Sequence, residues 1–198
     1  MKLIMFFNGW GMDESVVKNL IIPHDYQLEV LNFPYEVDSN IFLKYDKVVM
    51  IGWSFGCYYL AKYLLDNELC FENVISINGL TETIGDYGIP VKIFDGTLKK
   101  LTPETLVEFY SNMGADEKFT PTKKKFEDIK KELQYFSDNY EPLRNVFTKA
   151  FIGKKDKIIP ALRQKRYYTE AGIPVSFLKC GHYPFSEIKS WKDIIGDE

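Results

Sequence analysis

The chain has 198 residues, of which 45% are hydrophobic and 16% aromatic, enough for one globular domain with a sizeable core. A net charge of −3 leaves no electrostatic footprint for nucleic acid. Three widely spaced cysteines, Cys57, Cys70 and Cys180, argue against a disulfide framework and against a zinc site. No apolar run approaches the roughly 18 residues of a membrane span. The apolar stretch after Lys2 ends at Asn8-Gly9, too short for an export signal, so the expected compartment is the cytoplasm. No metal or nucleotide signature is present and no cofactor is expected. A monomer is the favoured state.

Taken in chain order, the strands read as short continuous apolar runs, the pattern of parallel strands buried on both faces. They fall at 3–7, 28–33, 47–51, 74–77, 147–152 and 175–178, with a short extended piece at 91–94. Helical segments are predicted at 13–20, 56–66, 161–170 and 185–191. Alternating strand and helix predicts an α/β fold with a mostly parallel, doubly wound sheet, whose ligands bind beyond the carboxyl ends of the strands. The interval 97–145 breaks the alternation. Thr102-Pro103-Glu104 is an N-cap, a first-turn proline and a first-turn acid, followed by an apolar face of Leu106, Val107, Phe109, Tyr110 and Met113. A second helix carries Phe126, Ile129, Leu133 and Phe136. This pair of amphipathic helices is expected to form a small helical lid inserted into a single domain that spans 1–198.

The third strand runs into Gly52-Trp53-Ser54-Phe55-Gly56, a Gly-x-Ser-x-Gly in strand–turn–helix context. Such a pentapeptide arises by chance in roughly one chain of this length in fifteen, so its context carries the weight. The turn presents Ser54 as a nucleophile, and the two glycines allow strand and helix to close on each other. A serine hydroxyl needs a base. The chain has two histidines: His24, in a loop before the second strand, and His182, in Cys180-Gly181-His182-Tyr183-Pro184-Phe185 directly after the last strand. His182 fits the chain order Ser…Asp…His. The orienting acid is expected at Asp156, after the penultimate strand, with Asp95 in reserve because it also follows an extended piece. The oxyanion donors are expected to be the backbone N–H of Phe55, next to the nucleophile, and that of Trp10 in the loop Asn8-Gly9-Trp10-Gly11 after the first strand.

Together, Phe6-Phe7-Asn8-Gly9-Trp10-Gly11-Met12-Asp13, the serine motif, Ile77-Asn78-Gly79, Ile93-Phe94-Asp95-Gly96-Thr97-Leu98 and Gly181-His182-Tyr183-Pro184-Phe185 resemble the BioG family of the α/β-hydrolase superfamily over most of the chain. The resemblance implies an α/β-hydrolase fold and esterase activity on the methyl ester of pimeloyl-[acyl-carrier protein] in biotin synthesis, with Ser54, Asp156 and His182 as triad. Two departures from the wider superfamily stand out. Asn8 replaces the histidine common in the oxyanion loop, and the first strand leads directly into that loop, which implies a fold reduced at its N-terminus. The implied partner is an acidic acyl-carrier protein. Between Lys118 and Lys131 six lysines stand against Glu127 and Asp128, and Lys123, Lys124 and Lys125 are candidates for docking it. A general short-chain carboxylesterase or thioesterase would use the same triad. A non-catalytic acyl-binding protein of hydrolase fold would have no need of one.

Overall fold

The computed structural model describes residues 1–196. Six strands, β1 (Lys2–Phe7), β2 (Tyr26–Leu31), β3 (Lys47–Trp53), β4 (Asn73–Ile77), β5 (Lys149–Gly153) and β6 (Val175–Leu178), form one sheet in the order β2-β1-β3-β4-β5-β6. Every neighbouring pair is parallel. The continuous apolar runs arise because the sheet is covered on both faces. Along β1 the side chains alternate: Leu3, Met5 and Phe7 enter one core, Ile4 and Phe6 the other.

The first core lies under α1 (Phe55–Asp66), the helical segment between β4 and β5, and α5 (Ala161–Glu170). The second is closed by Val16, Val17 and Leu20 on one side and by Ile188, Trp191 and Ile194 on the other. The short α6 (Lys192–Ile195) contributes the last of these.

Three expectations need correction. The stretch 13–20 forms only a 3-10 turn, Glu14–Val16, capped by the Asp13 carboxylate on the Ser15 N–H. The β-branched pair Val16-Val17 then favours no further helical turns. The stretch 185–191 makes one turn on Pro184, after which the Lys189 carbonyl accepts from Ile21 N–H and the chain is drawn away from a helical path. The supposed extended piece 91–94 is the start of a helix, α2 (Val91–Lys100). Its quartet Val-Lys-Ile-Phe looks strand-like, but only Phe94 is buried, and Val91 and Ile93 stay exposed. The segment between β4 and β5 therefore holds three helices instead of two: α2, α3 (Pro103–Asn112) and α4 (Phe126–Asn139). The Thr102–Pro103 start of α3 is as expected, with Thr102 Oγ1 accepting from Thr105 N–H.

Strand register sets the site. Phe7 pairs with Gly52, Trp53 with Ile77, Ile77 with Phe151, and Gly153 with Leu178. The loops that follow β1, β3, β4, β5 and β6 therefore open on one rim.

Candidate active site

Ser54 sits at the junction of β3 and α1 with φ 56° and ψ −126°, a left-handed conformation that strains a non-glycine residue. Close packing holds it there. A Cβ on Gly56 would lie 2.0 Å from the Phe7 carbonyl oxygen, and one on Gly52 would lie 2.7 Å from the Cys57 Cα. Ser54 N–H donates to the Ile77 carbonyl, 3.1 Å away, which carries the sheet ladder one step past the strand.

The structure brings Ser54, His182 and Asp156 together. His182 Nε2 is 2.8 Å from Ser54 Oγ, and Nδ1 is 2.8 Å from Asp156 Oδ2. All three residues are buried. The Asp156 carboxylate is fully engaged: Oδ1 accepts from the N–H groups of Ile158 and Ile159, and Oδ2 also accepts from Gln164 Nε2 at 2.9 Å. The His182 carbonyl accepts from the Trp53 indole and from Asn78 Nδ2, both at 2.9 Å, so the imidazole is set from behind. Asn78 also accepts from Gly153 N–H, tying the ends of β4, β5 and β6 together.

Gln164 and Asn78 join the site without standing among the sequence candidates. A glutamine on a predicted surface helix carries no signal, whereas Asn78, directly after a strand and at φ 47°, sits where one could have been sought. Asp95 is not brought into the site: it lies exposed within α2. His24 is also exposed.

The loop after β1, expected to supply an oxyanion donor, is shaped by Asn8, which is fully buried. Its Oδ1 accepts from Gly9 N–H, and its Nδ2 donates to the Asp13 carbonyl and to Asn32 Oδ1. The Tyr35 hydroxyl donates to the Asn8 carbonyl at 2.6 Å. Trp10 N–H and Phe55 N–H, the two expected donors, have no acceptor among the described residues. Asn8 thus orders the loop after β1.

Ser54 and His182 line a cavity of about 580 Å³, within the range of small-molecule sites. Its walls are mostly apolar, from Trp10, Phe55, Phe94, Leu101, Met113 and Leu133. Three exposed lysines, Lys92, Lys100 and Lys157, and the exposed Glu108 also line it. Lys123, Lys124 and Lys125 do not line it, and the Lys124 ammonium is bound to the buried Glu132 carboxylate at 3.1 Å. Among the described residues no group of three or more His, Cys, Asp or Glu side chains is placed to hold a metal ion, and no helix is long and apolar enough to cross a membrane.

The family profile described as pimeloyl-ACP methyl esterase BioG matches residues 1–194. The chain belongs to the BioG family. A malonyl-[acyl-carrier protein] O-methyltransferase from Bacteroides fragilis is 31% identical over 92% of the chain, and the chain spans 39% of that relative's length. The structure of BioG from Haemophilus influenzae superposes with a TM-score of 0.86 at 24% identity, covering 98% of this chain and 94% of that one. A lipase-esterase related protein from Clostridium acetobutylicum reaches a TM-score of 0.61 at 14% identity, covering 92% and 87%. These likenesses make the fold an α/β-hydrolase fold.

Proposed function

We propose that this protein is a serine esterase that cleaves the methyl ester of a pimeloyl group carried on acyl-carrier protein, in biotin synthesis. The observation that carries the reading is the buried chain of 2.8 Å contacts from Asp156 through His182 to Ser54 at an apolar cavity. His182 takes the Ser54 proton as Oγ attacks the ester carbonyl. The tetrahedral oxyanion is received by the N–H groups of Trp10 and Phe55. The imidazolium of His182 then protonates the departing methoxy oxygen, so that methanol leaves, and afterwards the neutral imidazole activates the water that frees the acid. Asp156 holds the imidazole in the tautomer that leaves Nε2 free to accept.

The mostly apolar walls suit a run of methylenes, and the exposed lysines among them suit the acidic carrier to which the far end is attached. In this reading Lys92, Lys100 and Lys157 replace Lys124 as docking groups, since the Lys124 charge is already taken. The helices between β4 and β5 act as a lid on a single hydrolase domain.

The test compares hydrolysis of carrier-bound and free pimeloyl methyl ester. Ser54→Ala should lower kcat by at least about 10³-fold on both. Changing Lys92, Lys100 and Lys157 together to Glu should raise KM about tenfold for the carrier-bound ester and leave the free ester unaffected. Equal KM changes for the two substrates would remove the carrier from the reading, and an active Ser54→Ala protein would remove the serine.

A further inference from the structure

Glu132, on α4, is a buried carboxylate with two partners. Its Oε1 accepts from the Gly11 N–H at 3.1 Å, and its Oε2 accepts from Lys124 Nζ at 3.1 Å. Gly11 is the last residue of the oxyanion loop. The same helix is fixed to that loop a second time, because the Trp10 indole donates to the Ile129 carbonyl at 2.8 Å. It also lies directly against the backbone: a Cβ on Gly11 would fall 2.9 Å from Ile129 Cγ2.

The three consecutive amides of the loop are therefore treated differently. Gly9 N–H is held by Asn8 Oδ1, and Gly11 N–H is held by Glu132 Oε1. Trp10 N–H, between them, has no acceptor among the described residues. Fixing the flanking peptide groups fixes the direction of the middle one, and the value of an oxyanion donor lies in its being aimed before the charge develops. An isolated carboxylate so near would oppose that charge. Lys124 cancels it. Burial pushes the Glu132 carboxyl above its usual range despite Lys124 and Gly11, so the site needs that counter-charge to keep an anionic acceptor there.

We propose that Glu132, paired with Lys124, is a positioning residue for the oxyanion hole: it holds the Gly11 amide so that Trp10 N–H stays free to meet the developing oxyanion. This rests on the reading that Ser54 performs acyl transfer with Trp10 N–H as a donor. It gives α4 a part in the chemistry besides covering the cavity.

The test uses two matched double variants of the full chain. Glu132→Gln with Lys124→Met removes both charges and keeps a carbonyl acceptor for Gly11. Glu132→Leu with Lys124→Met removes both charges and the acceptor. On a p-nitrophenyl butyrate substrate the first should keep kcat within about threefold of wild type. The second should lose about 10–100-fold in kcat with KM within about twofold. A trifluoromethyl ketone, which mimics the tetrahedral adduct, should weaken in step with kcat/KM in the second variant only, while inhibition by butyrate stays level in both.

Thermal melts establish that each variant is folded. If the leucine variant is not, Glu132→Met with Lys124→Met is the second apolar pair, the flexible methionine adapting to the gap. An apolar pair with wild-type kcat and wild-type ketone affinity overturns the proposal, as does an equal loss in the glutamine and apolar pairs. Ser54→Ala separates this outcome from failure of the underlying reading. If that protein still hydrolyses the ester, both ideas fall. If hydrolysis depends on Ser54 and the apolar pair is indifferent, the positioning role alone falls.

Discussion

Asp156 has four donors around two oxygens: the N–H groups of Ile158 and Ile159 on Oδ1, and His182 Nδ1 and Gln164 Nε2 on Oδ2. An asparagine there would bring an amide NH₂ into a ring of donors. With its oxygen kept by the two backbone groups, the NH₂ faces His182, whose Nδ1 must then accept. The proton moves to Nε2 and points at Ser54 Oγ, which can no longer give its own proton away. Asp156→Asn should therefore keep the fold and lower kcat about 10³–10⁴-fold on any ester. A loss of less than about tenfold would mean that the carboxylate does not set the tautomer. Cys57 and Cys180 are also buried beside the site, and burial pushes both thiols up to about 12, so both stay protonated at neutral pH.

At the scale of elements, the segment 120–125 is strapped by Asp13 to the turn that follows the Asn8–Gly11 loop. This carboxylate accepts from Ser15 N–H, Ser15 Oγ, Thr122 Oγ1 and Lys123 N–H. Burial works to raise its pKa, but the hydrogen bonds from Ser15, Lys123 and Thr122 outweigh it and hold the group below the usual carboxylate range. A group whose folded pKa is depressed contributes stability above its unfolded pKa of about 3.9 and loses it as pH falls through the folded value. Asp13→Asn should thus lower Tm by roughly 2–6 °C at pH 6. The gap to wild type should close as pH is taken below about 4. A gap that is constant from pH 6 to pH 3 would show that the charge of Asp13 does not matter.

This strap was hidden in the sequence, where Asp13 falls at the start of a predicted helix and Lys123 in a lysine-rich run offered as a docking surface. What could be read were features with a local signature: buried strands as unbroken apolar runs, Ser54 by its glycines, and His182 and Asp156 by their places after strands. The misread pieces were those decided by distant partners. The run 91–94 became helical because Phe94 has a core to enter, and 185–191 gave up its helix for a bridge to Ile21. Glu132 and Gln164 look like solvent-facing helix residues until Gly11 and Asp156 are brought beside them.

Over the whole molecule, the two faces of the sheet differ in what covers them, and the face that carries the cavity is itself divided. Of its covering helices, α4 buries Ile129, Glu132, Leu133 and Phe136, and Phe136 stacks on Phe55, the neighbour of Ser54, with ring centroids 4.1 Å apart. By contrast α2 buries only Phe94, and α3 only Leu106. A helix that shares few buried contacts opens at low free energy, and one pinned to the loops of the sheet opens only with the core. On this count α2 and α3 are expected to open more readily than α4, which is held to the loop after β1. Hydrogen exchange should resolve the two: interior amides of α4 should exchange at least about tenfold more slowly than those of α2 and α3. A trifluoromethyl ketone bound at Ser54 should add protection to α2 and α3 and little to α4. If the three helices exchange as one unit, with one rate and one response to the ketone, the division is wrong and the whole segment between β4 and β5 moves together.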